Sequence, residues 1–242
     1  MNYLSKTIIF SLALLSTSHL LAHSMWLDKT GYGYDLSYGE KGSVDLYNPQ
    51  RVSKILGYNN KNEKKNIDIL RYELKEKKGL ARIYTKKNYS LLYAELDNKY
   101  WFHTKDDKWH NISKNEKPKD IIEEGQSYKS TKHIIKWEKY MLKPIGQKVE
   151  IVPLQNPSTL KEGQFLVVKL YINGMPMLSE GIKIAIDSNP YIDHSLIHLK
   201  ADETIRIRIS KPGLQLINLK YKVKLTGKKV IWYSSTLTFN TK

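Results

Sequence analysis

The seven histidines carry most of the chemical potential of this chain. With zero cysteine, thiolate nucleophiles, disulfides, zinc ribbons and iron–sulfur ligation are all excluded, so a metal ion must be held by His, carboxylate, backbone or a free amino group. His23 stands apart by position. If an amino-terminal leader is removed after Ala22, His23 becomes the first residue and offers its ring nitrogen and α-amine to one ion as a chelate. An α-amine with an ordinary pKa near ~8 gives up its proton readily when a metal competes for the lone pair. Such a nitrogen-rich pair suits nickel or copper.

The remaining histidines have two readings each. His103 and His110 flank WFHTKDDKWH, where Asp106 and Asp107 add oxygen donors, while Trp101 and Trp109 would equally pin a surface loop. His133 shares a strand face with Ile135 and Trp137, the setting of a core histidine or of a further ligand. His194 and His198 in DHSLIH have the four-residue spacing of a helical ligand pair, with Leu196 and Ile197 between them as ordinary packing. His19 falls within the leader. No G-x-S-x-G elbow, H-E-x-x-H helix or phosphate-binding glycine loop occurs, and the adjacent Glu123 and Glu124 would diverge on a strand. The expectation is a non-catalytic protein.

The elements that must position these residues read as β-structure. Ile205, Ile207 and Ile209 alternate with arginines, and Leu219, Tyr221, Val223 and Leu225 alternate with lysines, the two-residue period of half-buried strands. FLVVKLYING, IKIAI and VIWYSSTLTF add further strands, the last after a TGKK turn. Ser127–Leu142 fits a helix face through Ile134, Trp137 and Met141 or a strand face through Thr131, His133 and Ile135, and its β-rich surroundings favour the strand. Pro153, Pro157 and Gly163 punctuate the chain near residue 151. The organisation expected is a leader over residues 1–22, a mainly β domain over 23–150 and a β-sandwich over 151–242. The fold class expected is all-β, with two β-sandwich-like domains of immunoglobulin or prealbumin type.

Lys6 followed by the apolar run Thr7–Leu15 reads as an export signal, too short to span a bilayer. Cleavage fits either after Ala22 or after Ser24, and only the first retains His23. An exported chain without cysteine, rich in lysine, suits the periplasm. The formal net charge of +16 favours contact with anionic surfaces, a lipid headgroup layer among them, over capture of free cations. Nucleic acid is not an expected partner, because no RNA-binding fingerprint accompanies the charge and export leads away from it. An adhesive or structural sandwich accounts for the β pattern without any metal.

AHSMWLD, GYGYDLSYGEKGSVDLYNPQRV, KYWFHTKDDKWHN, KPIGQKVEIVPLQNP, LYINGMPM and YSSTLTF follow one another along the chain. In this order they resemble the exported bacterial NikM-like family, described as a substrate-specific component of nickel or cobalt uptake. The resemblance implies a periplasmic accessory protein that binds nickel, with cobalt or copper as the other candidates, and passes it to an inner-membrane importer. It implies cleavage after Ala22 and carries His23 over as a ligand; the metal set expected beside it adds His103 and then His133. The chain departs from the family pattern at those last two histidines, where small residues are common, and at Glu40, where a histidine is common and which here offers an oxygen instead.

Overall fold

Period-two alternation becomes eighteen strands in the computed structural model, which describes residues 23–242 except 32, 41–42, 76–77, 86–87, 112–114, 178–182, 189–194, 199–203 and 210. In chain order these are β1 (Ser24–Thr30), β2 (Gly33–Glu40), β3 (Ser43–Val44), β4 (Val52–Tyr58), β5 (Lys64–Asn66), β6 (Ile69–Lys75), β7 (Lys78–Ile83), β8 (Leu91–Thr104) and β9 (Trp109–His110). They continue with β10 (Ile121–Ile134), β11 (Val149–Pro153), β12 (Phe165–Ile172), β13 (Met175–Pro176), β14 (Lys183–Ser188), β15 (Ser195–His198), β16 (Ile205–Arg208), β17 (Gly213–Lys224) and β18 (Lys229–Thr241). With 62% strand and only short helical turns, the fold is all-β. The ambiguous segment from Ser127 is strand to Ile134 and then a 3-10 turn at Lys139–Leu142.

The strands form three sheets. A first sheet runs β1-β2-β7-β6, with β3 on β2. A central sheet runs β15-β14-β17-β18-β10-β8-β4-β5, with β9 on β8, and a third runs β11-β12-β13, with β16 on β12. The central sheet is apolar on both faces at β8. Leu91 and Tyr93 of β8 pack with Ile151, Leu166, Val168 and Ile207 of the third sheet. Their neighbours Leu92, Ala94 and Leu96 pack with Leu27, Leu36 and Ile83 of the first. Successive side chains of a strand point to opposite faces, so one sheet serves as a wall of two sandwiches.

This arrangement bears on the division expected at residue 151. β10 and β18 lie side by side in parallel from Glu124↔Lys229 to Ile134↔Phe239, so a continuous sheet joins the segments on either side of that point. The stretch itself is ordered: Val149–Pro153 is a fully buried strand, and Asn156 caps the 3-10 turn Pro157–Thr159 by accepting from Ser158 N–H. Gly125 makes the parallel pairing possible, since a Cβ there would lie 1.7 Å from the Val230 carbonyl oxygen.

On the face turned to the first sheet, β10 and its neighbours bury polar residues. Ser127, Lys129, Thr131 and His133 of β10 and Ser234, Thr236 and Thr238 of β18 are all under 10% exposed. Most buried polar groups are hydrogen-bonded, and several of these find partners in the first residues of β1.

Candidate metal site

The start of β1 is fastened by side chains from three central strands. Asn218 of β17 donates through Nδ2 to Ser24 Oγ at 2.6 Å and accepts from Ser234 Oγ at 3.1 Å. Thr236 donates to the Met25 carbonyl, and the Lys129 ammonium donates to the His23 carbonyl. Ser24, Met25, Trp26 and Leu27 are consequently buried. The backbone is thus fixed from the residue that cleavage after Ala22 would expose.

The His23 ring is equally constrained. Its Nε2 lies 2.7 Å from Asp45 Oδ2, and the ring stacks on Tyr38 at 5.0 Å with planes 8° apart. Tyr38 in turn packs on Tyr47, whose hydroxyl donates to the Leu36 carbonyl and accepts from Ala81 N–H. Asp45 is positioned by its own N–H, which donates to the Tyr38 carbonyl at 2.7 Å. A neutral ring that gives Nε2–H to the carboxylate keeps its lone pair on Nδ1. Nδ1 is also the nitrogen that closes a six-membered chelate with an α-amine on the same residue. A carboxylate bound to the distal nitrogen is the usual orienting partner of a metal-ligating histidine.

The other histidines of the expected set are not gathered around His23. His103 of β8 pairs with Glu123 of β10, six residues from Lys129 and therefore about 20 Å from the His23 anchor. Its Nε2 lies 2.7 Å from Asp107 Oδ1, and its ring stacks on Trp109 at 4.2 Å. His133 is four residues beyond Lys129 on the same strand face, about 13 Å away. It is 2% exposed, with Nδ1 2.8 Å from Thr238 Oγ1 and its ring tilted against Tyr34. His110 lies at the long distance of 3.4 Å from Thr104 Oγ1. His194 and the side chains of Glu40 and His198 fall outside the described residues, as does the leader expected over residues 1–22. Among the described residues, no three His, Asp or Glu side chains are grouped to hold a metal ion. The side chains supplied here are therefore His23 and Asp45, and the amine would have to complete the chelate.

Asp45, Tyr38 and Lys129 were not singled out by the sequence. Asp45 sits 22 positions from His23 in a segment, GSVDLY, whose only visible signal is β-propensity. Lys129 resembles any solvated lysine until the docking of β1 buries it.

Burial, and then the positive charge of Lys29, hold the His133 pKa down at about 4 against an ordinary 6.5. The unfolded chain therefore takes up this proton first as pH falls, so the stability from keeping the ring neutral is full above pH 6.5 and lost towards pH 4. Urea titrations at pH 7 and 4.5 should show the His133→Asn variant losing about 2–3 kcal/mol less than the parent chain. An equal loss in both would remove His133 as the source.

Comparison with known proteins gives one finding. A family model described as "Domain of unknown function (DUF4198)" matches residues 20–223. No curated protein and no solved structure matches. Among the described residues, no helix is long and apolar enough to cross a membrane.

Proposed function

The chain belongs to that family of unknown function, DUF4198, and from this premise we propose that it is an exported, non-catalytic binder of a transition-metal ion, held at the amino terminus that processing creates at His23. The observation that carries the reading is the 2.7 Å contact between His23 Nε2 and Asp45 on a backbone already fastened by Lys129, Asn218 and Thr236. The cargo is nickel or cobalt, passed in the periplasm to an inner-membrane importer. This follows the resemblance of the motifs from Ala22 onward to the NikM-like components of nickel and cobalt uptake. The nitrogen donors also favour copper, which binds such ligands more tightly than nickel does, so copper is the second reading.

Each residue has a distinct task. The amine and Nδ1 of His23 bind the ion, and Asp45 fixes the orientation of the ring. Tyr38 blocks one face of the imidazole. Lys129 occupies the His23 carbonyl, which keeps that oxygen from competing with the amine. The net charge of +16 does not attract the ion and instead favours docking on anionic headgroups or on an acidic importer face. Lys224, Lys228 and Lys229 surround the exposed Leu225 at the β17–β18 turn, a suitable place for that contact.

Mass spectrometry of the exported protein should give a chain beginning at His23 that takes up one nickel or copper ion. A chain beginning at Met25, or no uptake by the His23 form, overturns the proposal. In isothermal titration, Asp45→Asn should weaken binding by about 10–100-fold, the usual cost of losing an orienting partner. Unchanged affinity would show that Asp45 does not orient the ring.

A further inference from the structure

The first sheet ends on β6, and no strand pairs with its far edge among the described residues. β6 reads Ile-Leu-Arg-Tyr-Glu-Leu-Lys. On one face Leu70, Tyr72 and Leu74 are 51%, 40% and 64% exposed, an apolar stripe on an open strand edge. Such edges recruit another strand unless they are shielded. The shields it carries are a bulge between Glu73 and Lys75 and a lysine at the end of the strand, while Ile69–Glu73 keeps regular register with β7 and contains no proline.

The sequence also specifies which strand would fit. When β6 is laid antiparallel on a copy of itself about its midpoint, Tyr72 faces Tyr72 of the second copy and Leu70 faces Leu74. Arg71 then faces Glu73, so both charges are complemented twice across the symmetry axis. The backbone is disposed for this register. The Tyr72 carbonyl points into the sheet toward β7, where a Cβ on Gly79 would lie 1.6 Å from its oxygen. Groups alternate in direction along a strand, so those of Arg71 and Glu73 point outward to meet the second copy. Arg71 is held in place by Nε and Nη2 donating to the Pro49 and Val52 carbonyls, which leaves Nη1 for Glu73 of the second copy.

We propose that two copies of this chain associate through antiparallel β6–β6 pairing centred on Tyr72, joining their first sheets into one. Opposed residues at such a position have Cα atoms about 4.5 Å apart, within the span of a disulfide. Residue 74 lies about 13 Å along the strand from its own counterpart, beyond that span.

The absence of cysteine from the chain makes a direct test possible. On mild oxidation Tyr72→Cys should give a disulfide-linked dimer that reductant dissolves. Leu70→Cys and Leu74→Cys should each remain uncrosslinked alone and should crosslink when mixed. The unmodified protein should sediment as a dimer at tens of micromolar, and Tyr72→Lys, which opposes two ammonium groups on the axis, should sediment as a monomer that keeps the β-type circular dichroism spectrum of the parent chain. The proposal is overturned if the unmodified protein is monomeric throughout. It is equally overturned if Tyr72→Cys crosslinks no faster than Met175→Cys on another sheet, or if Leu74→Cys alone crosslinks as fast as Tyr72→Cys.

Discussion

Four extra residues ahead of His23 should weaken nickel or copper binding about 100- to 10,000-fold relative to a chain beginning at His23. Two ligands held in one residue meet the ion as a single unit, and a linked pair exceeds its separate members by roughly that factor. The extension moves the amine out of reach and puts a peptide nitrogen in its place, leaving Nδ1 as a lone ligand. Length matters in this experiment. With one or two added residues, the new amine, the intervening amides and the imidazole can wrap the ion in a fused chelate and mask the loss. The fold should not suffer, because the contacts of β1 begin at the His23 carbonyl. Equal melting temperatures with a large difference in the titration isotherm are therefore the expected pattern. Equal affinity of the two chains would remove the amine from the site.

Glu150→Gln should cost about 3–5 kcal/mol of stability, the loss typical of breaking a buried ion pair on one side. Lys132 Nζ lies 2.7 Å from Glu150 Oε1, with the two side chains 2% and 0% exposed. The carboxylate also accepts N–H bonds from Ile145, Gly146 and Gln147 at 3.0–3.2 Å. A glutamine would turn its NH₂ toward one group of these donors and leave the ammonium with no opposing charge. In a chain of this size that corresponds to a melting temperature lower by roughly 6–20 °C. Lys132→Met should cost less, because the carboxylate keeps its backbone donors. Thermal melts of both variants test the asymmetry: Glu150→Gln within about 1 kcal/mol of the parent chain would show that the pair is not a fastening point between β10 and β11.

Much of the fold could be read from residues that obey the alternation rule. β16 and β17 are visible because isoleucine, leucine and valine alternate with lysine or arginine, and β18 because a β-branched and aromatic run follows the TGKK turn. The rule fails where both faces of a strand are covered. In β10, Ser127, Lys129, Thr131 and His133 resemble an exposed polar face, yet they form the buried seat of β1, while Lys132 on the opposite face is buried by Glu150. Propensity is blind to which layer covers a strand. The pairing of β10 with β18, about a hundred residues apart, has no local signature, which is why a boundary near 151 was expected from three punctuating residues. At the candidate site, His23 is legible through the expected cleavage pattern. Asp45 and Tyr38 were not, because only the β1–β2 pairing and the return of the chain through β3 bring them to the ring. His103 and His133 were legible as ligand types, but neither reaches His23.

The position of β18 has a consequence for how the molecule is made. It lies between β17 and β10 in the middle of the largest sheet, so neither half can close until Lys229–Thr241 has left the ribosome. In the export route proposed above, this delay keeps the chain threadable until synthesis has passed that point.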